Sequence, residues 1–335
     1  MKLNELFCDN MIFAEDKPVR VFGEGDGDVT VRFCGEEKTV SASGKWLVEF
    51  DKREAGGPFE LEVSADGFYK AVKNVYVGRV YLIAGQSNAE FRLCESDEPL
   101  TGYKDDALLR NFFVCRPWID ADVFKPGDGW RCAEKDTVGQ WSAIGYLAGR
   151  ALRRETGYAT GTVSCFQGAS IIESWLPEED AASFGLKPEE LMIDHTYPDY
   201  AAWNRPGVIY EKMLSKLFPF SFSGVIWYQG ESDTTAAEGA VYDKELCLLM
   251  NNMRRGFADP GLYFAVIQIA DFDGRKEYDP EGWRAIQEAQ EKAVKADKYS
   301  SLVISRDVCE STGIHPVKKT ALSERAANVF LSKGN

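Results

Sequence analysis

Ser87 sits in Gly85-Gln86-Ser87-Asn88, directly after the apolar run Val80-Tyr81-Leu82-Ile83-Ala84. A hydroxyl just past a buried strand is either an ordinary turn residue or a nucleophile on a fixed mount. Serine becomes a nucleophile near neutral pH only with a base of matched pKa beside it, and imidazole is the usual one. The chain has two histidines, His195 and His315, so the candidate bases are almost enumerated. His315 follows the last apolar run in "STGIHPVKK", with Pro316 fixing the backbone ahead of a helix, whereas His195 lies in the irregular "MIDHTYPDY". Placement at a strand edge favours His315 as the base and leaves His195 as a cleft residue.

These side chains must be carried by a frame. After residue 79 apolar strand-like runs alternate with helix-period segments, the pattern of a parallel sheet covered by helices. The runs are "VYLIA" (80 to 84), "TGTVSC" (160 to 165), "SGVIWY" (223 to 228), "YFAVIQI" (263 to 269) and "SLVIS" (301 to 305). Between them Ile144, Leu147, Ala148, Ala151 and Leu152 share one helix face, as do Leu246, Leu249, Met250 and Met253. A last helix carries Leu322, Ala326, Val329 and Phe330. The expectation is a five-stranded, doubly wound α/β domain over 79 to 335. Ligands of such sheets bind at the carboxyl ends of the strands. That edge collects "GQSN", "FQGASIIESW", "QGESD" and "GIHP".

Residues 17 to 78 have another texture. Val29, Val31 and Phe33, then Trp46, Val48 and Phe50, then Phe59, Leu61 and Val63 alternate with polar residues, separated by "GEGDGD", "ASGK" and "EAGGP". Short alternating strands between Gly and Asp turns predict an antiparallel β-sandwich, so residues 1 to 78 are expected to form a small all-β accessory domain. Segments 95 to 130 and 176 to 208 read as loops that shape a cleft over the same edge.

With 335 residues, 44% of them hydrophobic, the chain can bury a large core. A net charge of -14 argues against nucleic acid or an acidic membrane as partner. No apolar run is long enough to span a bilayer and no signal peptide is visible, which gives a cytoplasmic expectation. The eight cysteines are scattered without CxxC pairs, so neither zinc nor a disulfide scaffold is indicated.

"YLIAGQSNAEF", "GVIWYQGESD" and "GIHPVKK" together resemble the sialate O-acetylesterase and acetylxylan esterase group of the SGNH hydrolases, serine esterases that remove acetyl groups from sugars. The resemblance covers nearly the whole chain. It implies a flavodoxin-like three-layer sandwich, preceded by a β-sandwich of the Ig-like or jelly-roll kind. It also implies an acetylated sugar or oligosaccharide as substrate, with no metal or cofactor.

Carried over residue by residue, Ser87 matches the family nucleophile and His315 its base. The oxyanion-hole donors would be Ser87, Gly168 and Gln229. Many relatives place an aspartate two or three residues before the histidine, where this chain has Thr312 and Gly313. Glu231 is the expected orienting acid, Glu310 the second choice and Asp307 the third. A Ser-His dyad using a backbone acceptor stays open. Gln86, Asn88, Arg116 and His195 are expected substrate contacts. A rival reading is a catalytically inactive carbohydrate-binding protein on the same frame. Oligomeric state is left open.

Overall fold

The computed structural model describes residues 1–119, 128–192, 198–273 and 279–332. The first strands are β1 (Lys2–Leu3), β2 (Ile12–Ala14), β3 (Val19–Phe33), β4 (Glu36–Phe50), β5 (Gly56–Ala65) and β6 (Phe68–Gly85). β3 and β4 form a long antiparallel hairpin, in register from Val19↔Phe50 to Phe33↔Glu36. Its turn is Cys34-Gly35, with φ of 50° and 80°, the two positive values that a tight hairpin turn matched to strand twist requires. Val29, Val31, Phe33, Trp46, Val48 and Phe50 all point into one core.

β6 is the seam of the molecule. Its first part pairs antiparallel with β5, from Phe68↔Ala65. From Arg79 onward it pairs in parallel with β9 (Thr160–Phe166), and from Tyr81 with β10 (Gly224–Tyr228). The division at 78/79 expected from texture therefore falls inside a continuous strand. Gly78 lies there because a side chain would put Cβ 2.1 Å from the Ala159 carbonyl oxygen.

The second sheet runs β7 (Asp106–Phe113), β9, β6, β10, β11 (Phe264–Ile267) and β12 (Ser300–Val303), all parallel; β8 (Arg131–Ala133) pairs antiparallel with β7. Among the described residues, six parallel strands replace the expected five. The sixth, β7, lies within a segment read as loop. Its run "DALLRNFF" is broken by Arg110 and Asn111, which are buried. The Arg110 guanidinium donates to the Asn10 and Asn74 carbonyls and lies over the Tyr76 ring, while Asn111 Oδ1 accepts from Thr162 and Ser164 of β9.

Side chains of the central strands alternate between two cores. Tyr81, Ile83, Ile226 and Ile267 meet helices Ala143–Thr156 and Thr320–Leu331. Val80, Leu82, Trp227 and Val266 meet helices Tyr242–Gly256 and Pro280–Ala296, in a core continuous with that of residues 1 to 78. Among the described residues no helix is long and apolar enough to cross a membrane.

Candidate active site

Three turns leave the sheet at one level, because Gly85 is the register partner of both Phe166 and Tyr228. The Gln86 N–H donates to the Tyr228 carbonyl and the Gln167 N–H to the Gly85 carbonyl, each at 3.0 Å. Gly85 has φ of +137°, and a Cβ there would sit 2.0 Å from the Tyr228 oxygen, so only glycine lets the chain turn this close. Ser87 then opens the short helix Ser87–Glu90.

His315 arrives from the loop after β12, and its Nε2 lies 2.8 Å from Ser87 Oγ. The two groups are 228 positions apart in the chain. The imidazole pKa is lowered, first by partial burial of the ring and second by the Lys319 charge; Glu95 opposes both. A lowered value keeps the ring neutral and able to accept a proton at neutral pH.

The expected acids are placed elsewhere. Glu231 is buried and its Oε1 accepts from Asn88 Nδ2 at 2.6 Å, on the amide rather than the imidazole. Glu310 caps its own loop, accepting from the Val317 and Lys318 N–H groups. Asp307 pairs with the Arg325 guanidinium at 2.6 and 2.8 Å. None of the three bonds the His315 ring.

Gly168 stands beside Ser87, its would-be Cβ 3.7 Å from the Ser87 Cβ. Gln229 does not present its amide there. Its Nε2 gives one hydrogen to the Ser170 carbonyl at 2.8 Å and the other to Asp233, while its Oε1 accepts from Tyr242. Gln86 is also turned inward, bridging the Gly230 N–H and Ser232 Oγ. Asn88 is buried as well, so these two expected substrate contacts are instead parts of the support. Arg116 pairs with Glu90 at 2.8 Å and lies over the Phe113 ring. His195 lies outside the described residues.

Lys319 is the residue that sequence reasoning missed. It is fully buried, and its Nζ donates to Asn88 Oδ1 at 2.7 Å. Burial pushes its pKa down to about 8, against the pull of Cys309, Glu231, Glu310 and Asp97. Burial likewise pushes Glu231 up to about 7, opposed by Asn88 and Lys319. One signal was legible: Lys319 is the N-cap of helix Thr320–Leu331, the helix end that disfavours cations.

A ring stack flanks the Gln167 turn. Tyr200 and Trp203 stack at 5.0 Å, and Trp203 and Trp118 at 6.1 Å. Trp118 Nε1 donates to Gln167 Oε1 at 2.7 Å, and Trp203 Nε1 to the Ala169 carbonyl at 3.4 Å. A groove of about 590 Å³, lined by Phe22, Trp46 and Phe218 among others, shares no residue with this site.

Sequence relatives of this chain, and a solved structure of similar fold, are acetylesterases that act on carbohydrates. The profile described as "Carbohydrate esterase, sialic acid-specific acetylesterase" matches residues 77–323, and the chain belongs to that family. It is 25% identical over 235 residues to the sialate O-acetylesterase of Homo sapiens, covering 63% of this chain and 44% of that protein. Against the Mus musculus enzyme of the same name it is 24% identical over 294 residues, covering 73% and 53%. The chain thus spans about half the length of these relatives. A solved carbohydrate acetylesterase from Xanthomonas citri superposes with a TM-score of 0.84 at 30% identity, covering 99% of this chain and 75% of that one.

Proposed function

We propose that this chain is a serine-dependent O-acetylesterase of sugars, with Ser87 as nucleophile and His315 as general base. The observation that carries the reading is the 2.8 Å approach of His315 Nε2 to Ser87 Oγ. Ser87 Oγ adds to the ester carbonyl carbon as its proton passes to Nε2. The carbonyl oxygen becomes an oxyanion, for which the N–H groups of Ser87 and Gly168 are the proposed donors. The bond to the sugar oxygen then breaks and the imidazolium returns its proton to that oxygen, leaving an acetyl-enzyme. Water adds to the acetyl carbon, its proton goes to Nε2, and collapse releases acetate and restores the Ser87 hydroxyl.

The rings of Tyr200, Trp203 and Trp118 supply a flat apolar wall with polar tips, which suits the C–H face of a pyranose. Residues 1 to 78 serve in this reading as a packed β support for the esterase portion, a role favoured by the unbroken β6.

Ser87→Ala is expected to lose at least about a thousandfold in acetate release, since nucleophile removal typically costs more than that. The assay is a screen over O-acetyl sialic acids and acetylated xylo-oligosaccharides, which also separates these substrates. Labelling by a fluorophosphonate should add one adduct at Ser87. A Ser87→Ala protein as active as the parent, or a parent that binds sugar but takes no label, would sink the esterase reading.

A further inference from the structure

Asn88 is tied on both sides of its amide. Its Nδ2 donates to Glu231 Oε1 at 2.6 Å and to the Ile314 carbonyl at 2.8 Å, and its Oδ1 accepts from Lys319 Nζ at 2.7 Å. Partner chemistry fixes which way the amide faces. An ammonium can only donate, while a carbonyl and a carboxylate accept, so the oxygen must point to Lys319 and the NH2 to the other two. Asn88 is the residue after the proposed nucleophile, and Ile314 is the residue before the proposed base. One side chain therefore joins the two halves of the site.

We propose that Lys319 is a positioning residue for catalysis, holding the Asn88 amide so that it binds the His315 loop opposite Ser87. The proposal rests on the Ser87 and His315 reading and adds to it a buried cation that touches neither the substrate nor the reacting atoms. Two further contacts hold the ammonium: it lies 4.9 Å from the Phe91 ring centroid and 5.2 Å from that of Tyr228. Asn88 presents one acceptor to it, so the amide cannot rotate without leaving a buried donor unpaired. The same charge also faces the imidazole. Among the described residues, the charged groups that act on His315 are Lys319 from its own loop and Glu95 from the turn Leu93–Glu95, and they oppose each other. Cys309, Glu231, Glu310 and Asp97 in turn face Lys319.

The test is the pH dependence of kcat and KM for Lys319→Met, measured on p-nitrophenyl acetate. Loosened alignment of base and nucleophile should lower kcat by roughly a hundredfold, the scale of an ångström-level misplacement, and leave KM within about twofold. The acid limb of kcat/KM should move to higher pH, because the cation that lowers the imidazole pKa is gone. Lys319→Met/Glu231→Gln is the second variant. It removes both buried charges, which folded proteins tolerate better than one unpaired charge, keeps an acceptor for Asn88 and carries the same shift of the acid limb if the single variant does not fold. A folded variant with unchanged kcat and unchanged limb overturns the proposal. So does a fall in kcat with the limb unmoved, which would mark Lys319 as a packing residue alone. Fluorophosphonate labelling of the parent is run beside it, so that failure of the Ser87 reading is seen separately from failure of this one.

Discussion

In the proposed reading His315 acts as base on Ser87 and must be unprotonated at the working pH. Partial burial and Lys319 lower the His315 pKa, and among the described residues Glu95 opposes them. The parent should therefore hold its kcat/KM down through the usual imidazole range near about 6.5 and lose it only at lower pH. Glu95→Gln removes the opposing carboxylate and should push that inflection lower still, with kcat at neutral pH unchanged; a pH profile of both proteins measures it. An inflection that rises in the variant would mean that the Glu95 carboxylate does not stabilise the imidazolium. At this scale the sequence was legible where local patterning decides the matter. Ser87 ends an apolar run, and scarcity of histidine narrows the choice of base. The acids were not legible, because Glu231, Glu310 and Asp307 differ only in which partner the folded chain brings to each: an amide, a pair of backbone N–H groups and a guanidinium.

The elements repeat that division. β6, β10 and β11 are readable because their buried side chains are apolar on both faces, as strands covered by helices on both sides tend to be. β7 hides because Arg110 and Asn111 imitate a loop while their hydrogen bonds go to carbonyls and side chains of other segments. The aromatic wall hides for a related reason. Trp118 and Trp203 are 85 positions apart by their numbering, and only the folded Gln167 turn aligns their rings. Trp203 stacks on both Tyr200 and Trp118, so its removal should open the wall at its centre. Trp203→Ala is expected to raise KM for an acetylated oligosaccharide by roughly tenfold, equivalent to the loss of one good contact. KM and kcat for p-nitrophenyl acetate, which carries no sugar, should stay close to the parent. Equal losses on both substrates would remove the wall from substrate recognition.

At the scale of the whole molecule, the interior holds more carboxyls than it can satisfy. Glu173, Asp233, Glu238 and Glu245 are buried behind the site turns, and among the described residues no hydrogen bond reaches either oxygen of Glu173 or of Glu245. Burial, reinforced by mutual repulsion for all but Glu173, pushes Glu173 to about 7, Glu238 to about 8 and Glu245 to about 9, with Asp233 driven upward as well. Each group thus keeps a proton in the folded chain over a pH range in which the unfolded chain has released it. Because the folded state binds more protons there, stability falls as pH rises through these raised values and is fully present only below the unfolded carboxylate range. The melting temperature should drop by several degrees between about pH 6 and about pH 9, where many proteins are nearly flat. Glu245→Gln is the decisive variant, because a neutral amide of the same shape no longer has a proton to lose. It should melt above the parent at the alkaline end, and the advantage should shrink toward about pH 5. Asp233 connects this cluster to the turns beside Ser87: it accepts from the Ile172 N–H at 2.8 Å and from the Gln229 amide. Ionisation of the cluster would consequently loosen the turns that follow β9 and β10 first. Activity measured across the same pH range should fail at or before the onset of melting, and a parent whose melting temperature stays level to about pH 9 would show that these carboxyls are not held protonated by the fold.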